Sequence, residues 1–423
     1  MQQADALRRD IGFTGSAFLS FNGIVGAGIF ALPATLHFQF GNFSPWLFPI
    51  FALLILAVAL PFSRLARHFE GSGGPVAYTA SFGPLVSFQT GWIYYVARTA
   101  ALAANANVFA TYAAAIAPPL GHPAGRIAVI LALVGAVTFV NMVGVRRAVR
   151  ALDLLTLLKL APLLLFAIWG LVAFADQMPA PGPLPPFGEV EAAALLVLYA
   201  FIGFENSVVP AGETARPERT IPRALITTVI ATAALYFIVQ LAYVSAMPEG
   251  VKPDAPLVAF ATLLAGPVGG LILTATALFS VAGNISGSMT STPRITFALA
   301  QGGLLPAWFG KVSERWHTPA ASILFRGLAG AGLAVSGSFV WLAVVSTLAR
   351  LIVYSVSIAA LPAAARRSGV KTGAATIGLM VVALAVCLWA ALQTGWVSWA
   401  TLLALVAAGM LLYLIAARGR RTA

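Results

Sequence analysis

Charge is what this chain has least of. Only 9% of its 423 residues are Asp, Glu, Lys or Arg, against 60% hydrophobic, whereas a soluble domain carries roughly 25% charged residues. Such a chain cannot cover a water-facing surface, and a soluble globular protein is excluded. Cysteine is almost missing: the single Cys387 lies inside an apolar run, which rules out an intrachain disulfide and most cysteine metal sites. The four histidines, His37, His68, His122 and His317, are scattered, so no metal is expected. Nothing has the form of a P-loop, and no cofactor is expected. A channel is disfavoured by the lack of a filter-like or ring-forming acidic repeat. No helix has an arginine at every third position, so a voltage sensor is excluded too. Met1 to Asp10 is polar, and the first apolar segment lacks a small-residue cleavage site; that segment is expected to be a retained helix.

What is present is a succession of long apolar runs. A transmembrane helix needs about 20 mostly apolar residues, and runs of that kind recur from end to end. They are continuous, as in AVILALVGAVTFVNMVGV at 128–145, not alternating as in a membrane β-barrel. The fold class is therefore an all-α integral membrane protein. Twelve transmembrane helices fit, at 12–36, 45–67, 84–117, 126–145, 151–175, 190–213, 222–246, 264–300, 319–337, 339–362, 373–393 and 395–417. Residues 1–423 are expected to form one transport domain.

Lys and Arg number 25 against 13 Asp and Glu, yet they occupy alternate loops, not one face or tail. No nucleic-acid partner is expected. Arg8 and Arg9, Arg64 and Arg67, Arg146, Arg147 and Arg150, and Arg216, Arg219 and Arg223 begin the series. Lys311 and Arg315, then Arg366, Arg367 and Lys371, then Arg418, Arg420 and Arg421 continue it. The opposite loops hold only Arg126 and Lys252. The positive-inside rule then places both termini of a multi-pass inner-membrane protein in the cytoplasm.

Two spans have matching interruptions. The first carries GIVGAGIF (23–30); the sixth carries FIGFENSVVPAGE (201–213), with Gly203, Glu205 and Pro210. Glycine is poor in helix interiors and lets a ligand approach the backbone. Interrupted helices at corresponding places in two halves point to a transporter substrate site. Glycines that merely allow close helix packing are the competing explanation.

The segments SGGPVAYTASFGPLVSFQTGW (72–92), LLTLLKLAPLLLF (154–166), YAFIGFENSVVPAGETARPERTIPRAL (199–225), TPRITFALAQGGLLPAWFGKV (292–312) and STLARLIVYSVSIAALP (346–362), with GIVGAGIF, carry a resemblance. They resemble the amino acid–polyamine–organocation (APC) superfamily, of the bacterial amino-acid permease type, over the first ten spans. The resemblance implies a LeuT-like 5+5 inverted repeat with broken helices 1 and 6: residues 12–175 against 190–362, with 373–417 as two peripheral helices. It implies that a substrate carboxylate meets amides around Gly26, Ala27 and Gly28. The ammonium is expected at carbonyls near Ile24, Tyr199 and Ile202, beside Gly203. Tyr199 matches a gating aromatic. Lys159 stands where a sodium ion sits in sodium-coupled relatives, so sodium independence is expected. The half-helix after the first break presents free N–H groups and a positive dipole end, which suits a carboxylate.

Charges at membrane depth are costly and usually face a site or a partner. Glu205 and Lys159 are expected in coupling or gating, with Lys159 reaching carbonyls near Gly23 and the hydroxyl of Ser286. Ser288 is expected in the pocket wall. Arg98, Arg294 and Arg350 are expected to snorkel, cap broken backbone or form internal ion pairs. The function expected is a secondary active amino-acid transporter working by alternating access, with a small-molecule substrate, the lipid bilayer and, as one open reading, protons as partners. An amino-acid or amine exchanger or efflux carrier is the alternative within transport. A non-transporting receptor or subunit is the alternative outside it. Side-chain specificity and oligomeric state are not legible.

Overall fold

The structure, a computed structural model, describes residues 10–69, 74–143, 148–208 and 211–421. Arg8, Arg9, Arg146, Arg147 and Pro210 lie outside the described residues, as do the side chains of Arg150, Asp153, Arg420 and Arg421.

The elements in chain order are α1 (Phe13–Ile24), α2 (Gly28–Phe40), α3 (Ser44–Ala66), α4 (Pro75–Tyr78), α5 (Pro84–Ile116), α6 (Pro123–Val143), α7 (Ala148–Ala173) and α8 (Phe187–Phe201). They continue with α9 (Pro217–Ala246), α10 (Pro256–Ser291), α11 (Pro293–Gln301), α12 (Ala320–Ser336), α13 (Phe339–Ala359), α14 (Leu361–Arg367), α15 (Ala374–Leu392) and α16 (Trp396–Arg421). Six of them, α4, α5, α6, α9, α10 and α11, open on proline. Proline lacks the N–H that the first helical turn could not use in any case, and its φ is already helical. Among the described residues there is no strand, only an isolated bridge between Ile11 and Thr214. Around it, Ile11 N donates to the Glu213 carbonyl at 3.0 Å and Ala215 N to the Ile11 carbonyl at 2.9 Å. The segment before α1 is thus tied to the segment before α9.

Among the described residues, nine helices are long and apolar enough to cross a membrane. Three features separate this count from the twelve spans expected. The first apolar run is cut by the break after α1, and what remains of it, Gly28–Ala66, joins α3 in one continuous stretch. Of α7, whose side chains before Lys159 lie outside those described, Lys159–Ala173 counts as a short apolar helix, as does α12 at Ala320–Ser336. The sixth span, expected over 190–213 with an interruption near Gly203, is interrupted there. Its α-helix ends at Phe201, and 3-10 turns at Phe204–Ser207 and Ala211–Glu213 follow. The helix expected to begin at 264 begins at Pro256, with a kink at Ala265 and Gly266 just before Pro267.

The centre of the bundle is formed by α5, which packs on α10 and α13, and by α9, which packs on α1 and α3. The 33 residues of α5 make about 50 Å of helix, longer than the roughly 30 Å hydrocarbon core of a bilayer. Large apolar side chains point outward around the bundle, Val172 at 72% and Leu53 at 68% exposure among them. Apolar surface on this scale is stable only against lipid. The protein is a multi-pass membrane protein.

Candidate functional site

Between α1 and α2 the backbone leaves the helix at Val25, Gly26 and Ala27. The end of a helix exposes carbonyls that lack an intrahelical partner, and each one here is met by a side chain. Asn284 Nδ2 donates to the Asn22 carbonyl at 2.8 Å and to the Gly23 carbonyl at 3.2 Å. The Tyr236 hydroxyl donates to the Ile24 carbonyl at 3.3 Å. Lys159 Nζ donates to the Val25 carbonyl at 2.9 Å and to Asn22 Oδ1 at 2.6 Å. On the far side of the break, Ala27 N donates to Asn105 Oδ1 at 3.1 Å.

After α8 the backbone turns at Ile202 and Gly203, and Gly203 has φ +122°, a conformation that favours glycine. Its N–H donates to Glu205 Oε2 at 3.1 Å. Glu205 is fully buried. Tyr354 OH donates to Oε2 at 2.9 Å and Tyr94 OH to Oε1 at 3.5 Å. Arg350 Nε lies 3.3 Å from Oε1 as an ion pair, without the alignment of a hydrogen bond. A buried carboxylate needs compensation of this kind.

The two breaks touch. A Cβ added to Gly23 would sit 2.5 Å from the Gly203 carbonyl oxygen, and one added to Gly203 would sit closer still to both the carbonyl carbon and oxygen of Gly23. Ser20 Oγ donates to the Phe204 carbonyl at 2.7 Å and joins them again.

A cavity opens where the breaks meet. From the first break it is lined by Asn22, Gly23, Ile24, Gly26, Ala27 and Gly28, and from the second by Tyr199, Ile202, Gly203 and Asn206. Helix α5 contributes Arg98, Ala101, Leu102 and Asn105; α10 contributes Asn284, Gly287 and Ser288; α13 contributes Arg350. The residues expected to meet a substrate (Ile24, Gly26, Ala27, Gly28, Tyr199, Ile202, Gly203 and Ser288) therefore share one cavity, with Gly23. Lys159, Glu205 and Ser286 are not in its wall.

One expectation about contacts needs correction. The Lys159 ammonium meets a carbonyl of the first break, that of Val25, together with Asn22 Oδ1, but not the Ser286 hydroxyl. The break tilts the Val25 carbonyl toward α7, while Asn284 takes the Gly23 carbonyl. Arg294 is exposed on α11.

Sequence reasoning confined to charges and hydroxyls overlooked four asparagines in the wall, Asn22, Asn105, Asn206 and Asn284. It also overlooked Arg326, fully buried on α12. Arg326 Nη2 donates to Ser288 Oγ at 2.7 Å and to the Arg98 carbonyl at 3.1 Å, and Nη1 donates to the Ser288 carbonyl. The available signal was amide side chains at membrane depth, and for Arg326 a lone charge in the run ASILFRGLAG.

A multi-pass helical bundle with two interrupted helices around a polar cavity defines a membrane transporter. The sequence narrows the class: residues 11–392 match the family described as amino acid permease, and the chain belongs to that family, within the APC superfamily. It is a permease and not an enzyme. It is 26% identical to the methylthioribose transporter of Bacillus subtilis over 98% of this chain and 95% of that one. It is 26% identical to the branched-chain amino acid permease BcaP of the same organism, over 98% and 94%. Its identity to the L-methionine/branched-chain amino acid exporter YjeH of Escherichia coli is 29%, over 55% of each chain.

Proposed function

We propose that the chain is a secondary active amino-acid transporter of the cytoplasmic membrane, working by alternating access, and that the cavity between the two breaks is its substrate site. The observation that carries this reading is the convergence of two helix interruptions on one cavity with polar walls. The substrate carboxylate takes the amides around Ala27 and Gly28 at the start of α2, where the helix dipole favours an anion. The Ala27 amide donates to Asn105 Oδ1, so binding exchanges one acceptor for another. The ammonium takes carbonyls near Ile24, Tyr199 and Ile202. Twelve spans, a LeuT-like 5+5 arrangement and cytoplasmic termini complete the proposal.

Lys159 and Glu205 couple the breaks to the rest of the bundle. The Lys159 ammonium on the Val25 carbonyl supplies a cation at the first break, so no external sodium is needed. Protons remain a candidate coupling ion. Export is the second reading, favoured by the relative named as an exporter.

The test is counterflow of labelled amino acids in proteoliposomes of the purified protein. Saturable counterflow that persists when sodium is replaced by choline is expected. Failure with every amino acid would favour a receptor or non-transporting subunit, and sodium-driven uptake would remove the role given to Lys159.

A further inference from the structure

The balance of buried charge around the cavity is uneven. Arg98, Lys159, Arg326 and Arg350 are all buried, and among the described residues Glu205 is the one buried carboxylate. Glu205 is paired with Arg350. The partners of Arg98 are all neutral: Thr292 Oγ1 at 2.6 Å, Tyr94 OH at 2.9 Å, Asn206 Oδ1 at 2.7 Å and Ser291 Oγ at 2.8 Å. Arg326 likewise has only hydroxyl, carbonyl and thioether partners. Lys159 has a carbonyl and an amide oxygen. Neutral acceptors satisfy N–H groups but leave the charge itself uncompensated, and at membrane depth that is costly.

Arg98 and Arg350 both reach the cavity wall. Arg350 has its carboxylate; Arg98 has none. A zwitterionic amino acid brings no net charge and leaves this excess as it stands. A substrate with a second carboxylate brings the missing anion to the place where a guanidinium faces it.

Resting on the substrate site proposed above, we propose that the preferred substrate is an acidic amino acid, with its α-carboxylate at the start of α2 and its side-chain carboxylate at Arg98. The spacing suits it. Arg98 and Asn105 are seven residues apart on α5, about 10 Å along the helix axis. Asn105 marks the level of the Ala27 amide. Arg98 and Asn105 line the same cavity as Ala27 and Gly28, so the two groups face one bound molecule from different levels of α5. Four of the five N–H groups of the guanidinium are taken by its neutral partners, which leaves one Nη2–H for a charge-assisted hydrogen bond to a carboxylate. Its present partners hold it from the side of α10 and the second break, so it is oriented before the substrate arrives.

The proposal is tested by counterflow in proteoliposomes with labelled L-glutamate, L-aspartate, L-leucine and L-methionine at equal concentrations. An acidic amino acid should exchange about tenfold faster or more than either neutral one, the effect of a charge-assisted hydrogen bond. Arg98→Gln should reduce that preference by about tenfold or more, and Arg98→Lys should retain part of it. Leucine or methionine exchange that equals or exceeds acidic exchange overturns the proposal and leaves the transport reading standing. An unchanged preference in Arg98→Gln also overturns it. Absence of counterflow with all four, and with every other amino acid, fails the transport reading and this proposal together. If Arg98→Gln does not fold, the comparison in the unmodified protein decides.

Discussion

The two breaks are held open by opposite chemistry. At the first, the orphaned groups are mainly carbonyls, and the side chains that meet them are donors: an ammonium, an amide and a phenol. At the second, the orphaned group is the Gly203 amide, and a carboxylate meets it. Each side chain carries the sign that the local end of the helix favours. The carboxylate is also gripped from α13 and α5, whereas the ammonium has only two partners, both on the α1 side of the break. The second break is therefore the rigid one, clamped around a single charge, and the first, which supplies more of the cavity wall, is held by hydrogen bonds to four separate side chains.

The largest effects are expected where the breaks meet. Gly203→Ala forces a side chain into the Gly23 backbone at a φ of +122° and should abolish accumulation of folded protein. Gly23→Ala, which meets the Gly203 carbonyl and the Asn206 side chain, should do nearly the same. Monodispersity by size-exclusion chromatography reads both. A well-folded Gly203→Ala protein would show that the breaks are not in contact.

Next in size is the contrast between the two buried charges. Glu205→Gln leaves the Arg350 guanidinium without its anion and should cost about 3–5 kcal/mol of stability, seen as a large fall in the melting temperature in detergent. Lys159→Ala removes two hydrogen bonds but also a buried charge. The two changes oppose each other, so stability should move by no more than about 2 kcal/mol while transport is lost. If Lys159→Ala were the less stable of the two, the ranking of rigid and adjustable breaks would be reversed.

Asn105→Ala frees the Ala27 amide and should cost about 1 kcal/mol, with a strengthened apparent substrate affinity as its main sign, because the substrate carboxylate no longer displaces an acceptor. Ser286 has neither a place in the cavity wall nor a bond to Lys159. Ser286→Ala should therefore leave stability within about 0.5 kcal/mol and counterflow unchanged.

The places of the breaks were legible because glycine in an apolar run is a local signal. GIVGAGIF and FIGFENS show it without reference to any neighbour. The partners that hold the breaks were less so. Asn105 and Asn284 stand far along the chain from Ala27 and Gly23, and only packing brings them together. Lys159 stood out as a charge at depth, yet its partner depends on the direction in which the Val25 carbonyl tilts. The start of the eighth span was misjudged because hydropathy averages over a window. It does not register the kink at Gly266. Gly28 shows a further limit: besides lining the cavity it packs against Ala200, whose Cα lies 3.0 Å from where a Cβ would be. A bulky residue at Gly28 would thus disturb packing as well as binding.

The central claim, that the cavity between the breaks is where substrate binds, is tested most directly by substrate protection of a cysteine placed in its wall. Ala101 on α5 lines the cavity, and the native Cys387 is buried elsewhere. In a Cys387→Ser background, Ala101→Cys would be labelled with a small thiol reagent in proteoliposomes, with and without each amino acid active in counterflow. Those amino acids should slow labelling at residue 101 in a saturable way and leave a control cysteine at Ser368 unaffected. Undiminished labelling of Ala101→Cys by a protein that still performs counterflow would place the substrate elsewhere and contradict the account.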